Sequence, residues 1–249
     1  KAARHAAIDY AIAEDPEHRD LAVYEENGTE YSRFYKVPES TDDLLKRSKL
    51  IELCTTEGDT LVTLIKEIGT DGIFALLAVT AEMENPVYHE RVQAFYEHCR
   101  ENDFAIAVAQ TDAKGDRVKR PSQQADPDLY LRVVERRDDG VVVRGMKVHT
   151  SISTNANEMI VLPTRAMGEG EEDWSIAFAV PINTPGVKLL TSPFGDGPAQ
   201  PGEHPITSKH KMMETLTVFD NVFVPNDRIF LNGEREDAGK LALTFVEYH

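Results

Sequence analysis

Phe104-Ala105-Ile106-Ala107-Val108-Ala109 runs into Gln110-Thr111-Asp112-Ala113-Lys114-Gly115-Asp116-Arg117, and Val141-Val142-Val143-Arg144-Gly145-Met146-Lys147-Val148 runs into His149-Thr150-Ser151-Ile152-Ser153-Thr154-Asn155-Ala156-Asn157. Each begins as an apolar run of strand length and ends in a polar segment with turn chemistry. Two strands that open into loops rich in hydroxyl, amide and backbone donors suit a flat heteroaromatic ligand with a phosphate tail. Two ordinary hairpin connections are the other reading, and these residues alone leave both open.

Around this stretch the strand pattern continues. Apolar runs recur at 129–136, 159–162, 174–180, 187–190 and 216–224, separated by Asp138-Asp139-Gly140, Asn183-Thr184-Pro185-Gly186 and Pro225-Asn226-Asp227. With the two opening runs they make seven strands without helices between them, which predicts an antiparallel barrel or sandwich. The Gly- and Pro-rich passage from Ser192 to Pro205 reads as a surface excursion of the lid type.

Before Phe104 the pattern is helical. Residues 1–40 are charged and irregular, with Pro16, Gly28 and Pro38 punctuating short helical pieces such as Ala2 to Ala13. Ser40-Thr41-Asp42-Asp43 is a helix start, a capping hydroxyl followed by early acids. Leu61, Leu64, Ile65, Ile68, Phe74, Leu77 and Ala78 space out a second helix over 60–81, in which Gly69 and Gly72 mark close approach by another group. A third helix covers 86–100, and helical composition returns from Glu234. The divisions are a helical domain at 1–102, a β domain at 103–232 and the start of a further helical domain at 233–249.

Composition narrows the function. Of 249 residues, 43 are Asp or Glu against 27 Lys or Arg, a formal charge of −16, which argues against a nucleic-acid or anionic-membrane surface. Cys54 and Cys99 fit buried thiols in a reducing compartment better than a disulfide framework or a metal cage. No apolar run nears the roughly 18 residues of a membrane span and no signal peptide opens the chain, so a cytoplasmic protein is expected. The chain starts at Lys1 and stops at His249 inside a young helix, and both ends read as cut.

Several segments carry a resemblance as a set: Thr111 to Arg117, Gln124-Ala125-Asp126-Pro127-Asp128-Leu129, Leu131 to Arg137, Val143 to His149, and Val218 to Leu231. From about Ser40 onward the chain resembles the family that unites 4-hydroxyphenylacetate 3-hydroxylases with 4-hydroxybutyryl-CoA dehydratases, nearer the dehydratase branch. The resemblance implies an α+β, acyl-CoA dehydrogenase-like fold with a helical N-terminal domain, an antiparallel β-barrel and a C-terminal helical bundle largely missing from this chain. It also implies FAD across the β domain. Gln110, Thr111, Asp112, Lys114, Gly115, Asp116 and Arg117 would then contact the flavin, with His149, Thr150 and Ser151 near the ring edge. Many members carry threonine where Ser151 stands. His149 is open to a second reading, a strand-end histidine bonded to backbone, and Lys114 and Arg117 to another, a solvated charged turn.

Departures from the family bear on the reaction. The dehydratase's cluster cysteines fall at Thr63 and Glu67, so no iron–sulfur cluster and no metal is expected, although His249 matches the family's histidine ligand. The hydroxylases' phenol-contacting histidine falls at Val108, and their Arg and Tyr fall around Thr70 to Gly72. Glu67 and His249 are therefore the candidate catalytic pair, a carboxylate and an imidazole able to trade protons with substrate. A solvent-facing Glu67 and a frayed His249 are the competing readings. The expected function is an FAD-dependent monooxygenase that takes reduced flavin from a separate reductase and hydroxylates a small organic or aromatic molecule. Cluster-free acyl-CoA dehydration, isomerisation or dehydrogenation is the first alternative, and a catalytically inactive flavin-binding protein the second. A homotetramer is expected by the same resemblance.

Overall fold

The computed structural model describes residues 1–191, 202, 203, 205, 206 and 210–249, so the lid expected between Ser192 and Pro205 lies almost wholly outside the described residues. The chain opens with α1 (Ala2–Ala6), α2 (Ile8–Glu14) and α3 (Arg19–Ala22), then a hairpin of β1 (Val23–Glu26) and β2 (Thr29–Ser32). Asn27 and Gly28 form its turn at φ 52° and 80°, the left-handed pair that a two-residue hairpin needs. Asn27-Gly28 is the one local signal for this hairpin in a stretch otherwise charged and irregular.

Helix α4 (Thr41–Glu57) starts where the sequence places it. The Ser40 hydroxyl accepts the Asp43 N–H at 3.2 Å, satisfying one of the donors a helix start leaves free. Helix α5 (Glu67–Thr80) is shorter than the expected 60–81. Asp59, Thr60 and Leu64 take positive φ of 52°, 73° and 54°, and the Ile65 carbonyl accepts the Ile106 N–H at 3.4 Å. Residues 61–66 thus form a strap against the start of the first core strand instead of helical turns. Helix α6 (Pro86–Glu101) begins at Pro86, where Asn85 caps it by accepting the Val87 N–H at 3.2 Å.

Then come β3 (Ile106–Ala109), β4 (Arg132–Arg137), β5 (Gly140–Lys147), β6 (Glu158–Val161), β7 (Ile176–Pro181), β8 (Val187–Thr191), β9 (Thr215–Pro225), β10 (Ile229–Asn232) and helix α7 (Arg235–Tyr248). They form two four-stranded sheets, ordered β10-β7-β6-β3 and β4-β5-β9-β8. The β domain is therefore a sandwich and not a closed barrel among the described residues. Nor is it wholly antiparallel, because β3 and β6 run parallel.

The first sheet is buried on both faces. Ile106, Val108, Ile160, Leu162, Ala177 and Ala179 join the cluster formed with α5, α6 and α7. Their neighbours Ala109, Met159, Val161, Phe178 and Val180 join Val143, Phe219 and Val222 of the second sheet, with Phe178 and Phe219 edge to face at 5.9 Å. Burial on both faces explains why these strands read as unbroken apolar runs. No helix among the described residues is long and apolar enough to cross a membrane.

Helix α5 lies hard against β3. A Cβ on Gly69 would sit 2.4 Å from Ile106 Cβ and 2.6 Å from its carbonyl oxygen. One on Gly72 would meet the movable Val108 Cγ2 at 3.1 Å. Gly69→Ala is expected to lower stability by about 1–3 kcal/mol despite alanine's better helix propensity, and Gly72→Ala by less, as read from urea unfolding midpoints.

Candidate active site

The two polar loops that follow β3 and β5 meet. Val148 N–H donates to the Thr111 carbonyl at 2.8 Å, and Asp112 bridges to Lys147. Lys147 is 2 % exposed. Its ammonium reaches the Gln110 and Leu162 carbonyls and Asp112 Oδ1, each at 2.8 Å. Burial pulls the Lys147 ammonium below its ordinary value, and Asp112 opposes that. Asp112 Oδ1 also accepts the Leu131 N–H at 3.0 Å. The Asp112 side chain is committed to these partners inside the protein.

The other candidates divide by position. Gln110 stands at the loop entrance and donates to the Ala242 carbonyl of α7 at 3.3 Å. Lys114, at φ 69°, and Gly115, at φ 49°, turn the chain back. Gln124 closes that turn, accepting the Asp116 N–H at 3.0 Å and donating to the Asp116 carbonyl at 2.8 Å. Arg117 is exposed on the turn.

Thr150 is fully buried, and its hydroxyl accepts from Thr217 at 3.0 Å, so it too is a structural contact through its side chain. His149 is exposed at φ 56°. Ser151 donates to Glu214 Oε1 at 2.5 Å, and the other Glu214 oxygen is buried with no partner among the described residues. His149 and Glu214 line a depression of about 390 Å³ with Leu190, Thr191, Thr215 and Leu216.

Glu67 and His249 come together through a residue the sequence reading passed over. His249 Nδ1 lies 3.2 Å from Asp71 Oδ2, one helical turn along α5 from Glu67. Its ring stacks on Phe245 at 5.9 Å. Asp71 is clamped on its other oxygen by Arg47, which also donates to the Phe34 carbonyl at 2.9 Å, the Glu67 carbonyl at 3.1 Å and Thr70 Oγ1 at 2.9 Å. The Arg47 guanidinium lies 5.5 and 5.4 Å from the centres of the Phe34 and Phe74 rings. Burial, then the Asp71 charge, raises Glu67 to about 7. The Asp71 hydrogen bond raises His249 above its ordinary value. Glu67 is 8 % exposed, so it is not a solvent-facing residue. Val108 is buried and packs beside Gly72, filling the place that the resemblance gives to a substrate-contacting histidine.

A helical layer, a two-sheet sandwich and a returning helix are the acyl-CoA dehydrogenase-like fold, shared with butyryl-CoA dehydrogenase from Megasphaera elsdenii at TM-score 0.56 and 16 % identity over 97 % of this chain and 53 % of that one. The chain belongs to the family described as 4-hydroxyphenylacetate 3-hydroxylase N terminal, whose family model matches residues 1–231. The 4-hydroxybutyryl-CoA dehydratase/vinylacetyl-CoA-Delta-isomerase of Clostridium aminobutyricum is 38 % identical over 98 % of this chain and 51 % of its own length. An oxygen-tolerant archaeal 4-hydroxybutyryl-CoA dehydratase from N. maritimus superposes at TM-score 0.88 with 30 % identity over 98 % of this chain and 50 % of that one. The oxygenase component HpaB of 4-hydroxyphenylacetate 3-monooxygenase, solved with FAD, superposes at TM-score 0.87 with 27 % identity over 97 % and 50 %. The chain spans about half the length of the curated relatives it matches.

Two outcomes test these assignments. Asp112→Ala or Lys147→Met alone is expected to cost about 3–5 kcal/mol, and the double variant less than the sum, in a urea double-mutant cycle. Glu67 sits at about 7 in the fold against an ordinary 4.5, so the parent loses stability as pH rises between those values. Glu67→Gln should therefore gain on the parent by about 3 kcal/mol between roughly pH 4 and pH 8, read from unfolding midpoints across that range.

Proposed function

We propose that the chain is the flavin-binding portion of an FAD-dependent monooxygenase that takes reduced flavin from a separate reductase and hydroxylates a small organic or aromatic substrate. The observation that carries this reading is the Glu67–Asp71–His249 set: Glu67 falls where the resemblance implies a cluster cysteine, His249 falls where it implies the cluster's histidine, and Asp71 is the residue that holds His249. Thr63 and Glu67 offer no sulfur, and Cys54 and Cys99 are buried free thiols, so this donor set does not fit an iron–sulfur cluster.

The loops do fit a flavin. They adjoin each other, and the unpartnered Glu214 oxygen beside Ser151 offers an acceptor to a ring N–H or a ribityl hydroxyl. Gln110, Thr111, Lys114, Gly115, Asp116, Arg117, His149 and Ser151 would flank the cofactor, while Asp112 and Thr150 hold the loops in place. The helical, β and second helical parts at 1–102, 103–232 and 233–249 belong to this reading, as do a homotetramer and a cytoplasmic location.

Bound FAD supplies the redox chemistry. The protein's own contribution is proton handling on the α5 side. A carboxyl near 7 is half-ionised at neutral pH, where a group can both accept and return a substrate proton. Asp71 orients His249 through a hydrogen bond that raises its proton affinity above the ordinary value. The 38 % identity to a dehydratase supports a second reading, cluster-free acyl-CoA dehydration or isomerisation by the same pair.

The test supplies the protein with reduced FAD, oxygen and a panel of phenols, and in parallel with short acyl-CoAs. Oxygen-dependent hydroxylated product is expected, falling about 100-fold or more in Glu67→Gln with FAD binding unchanged. Acyl-CoA conversion without oxygen uptake would select the second reading instead.

A further inference from the structure

His5, on α1, and His210, ahead of β9, are 205 positions apart in sequence, yet their Nδ1 atoms lie 3.3 Å apart. Their rings meet edge to face with centres at 5.3 Å. His5 is 2 % exposed, and the His210 side chain is 14 % exposed.

Each distal nitrogen faces an acceptor. His5 Nε2 is 3.0 Å from the Val62 carbonyl oxygen, and His210 Nε2 is 3.1 Å from an Asp59 carboxylate oxygen. Both Nε2 atoms therefore carry the ring hydrogen. A neutral imidazole has only one, so the two Nδ1 lone pairs face each other. That arrangement calls for a positive centre between them, a proton or a metal ion.

The distance suits a metal ion as well as a shared proton. It matches the edge of a tetrahedron around an ion held by bonds of about 2.0–2.1 Å, which is about 3.3–3.4 Å. A carbonyl and a carboxylate on the distal nitrogens are the partners that orient metal-bound histidines.

We propose that His5 and His210 bind one divalent ion of the imidazole-preferring kind, such as Zn(II), Co(II) or Ni(II), through Nδ1. Val62 and Asp59 orient the two rings. Among the described residues no third His, Cys, Asp or Glu completes the set, so the site is open and water fills its remaining positions. The ion ties α1 and the 59–62 turn to the segment entering β9. That segment reaches the candidate loop two ways: Met213 accepts the Ile152 N–H at 2.8 Å, and Glu214 receives Ser151.

Metal-stripped protein without a histidine tag, titrated with Co(II) by visible absorption and with Zn(II) by calorimetry near pH 7.5, is expected to take up one equivalent of either. Asp59→Asn places a residue tolerant of φ 52° and should weaken binding about 10–100-fold. His210→Gln should abolish it, with circular dichroism confirming that each variant folds. If His210→Gln does not fold, Asp59→Asn decides alone. No uptake, with only a proton shared between the imidazoles, overturns the proposal, and so does one-equivalent uptake that these substitutions leave unchanged.

Discussion

A single buried ammonium holds the β domain in its working shape. Lys147 ends β5 in one sheet, while Gln110 and Leu162, whose carbonyls it binds, follow β3 and β6 in the other. Its three N–H groups meet three acceptors, which is the full capacity of a lysine head group. Removing that charge from water is expensive unless every donor is matched. Asp112 supplies the countercharge and extends the contact to Leu131, just before β4. The sandwich is thus bolted at the end where its two polar loops emerge, and those loops inherit their spacing from the bolt.

On the helical side the electrostatic logic is a division of labour between two acids one turn apart. Asp71 has Arg47 on one oxygen and His249 on the other. Glu67 gives Arg47 only its backbone carbonyl. Burial, then the Asp71 charge, raises Glu67 to about 7, as expected of a poorly solvated carboxyl beside a like charge.

Legibility in the sequence followed how local each cause is. The Ser40 cap, the Pro86 start and most core strands came from signals within a few residues. The strap at 61–66 did not, since Leu61, Leu64 and Ile65 carry helical spacing, and the left-handed Leu64 and the contact with Ile106 appear only in the fold. β10, close behind β9, does not stand out as a separate apolar run, and the parallel pairing of β3 with β6 has no mark in either strand. Glu67 and His249 were found through a resemblance. Asp71 and Arg47 read as ordinary members of amphipathic helices until the fold brought them together. The internal roles of Asp112 and Thr150 likewise depend on residues distant in sequence.

The contact at Gly69 has a mechanical side. With no side chain between them, α5 and β3 have almost no slack to slide or tilt independently. Glu67 and Asp71 ride on the helix, while Gln110 caps the strand. Displacement at the proton-handling end is therefore transmitted to the mouth of the polar loops as rigid motion rather than absorbed by soft packing, and the two halves of the candidate site keep one common frame.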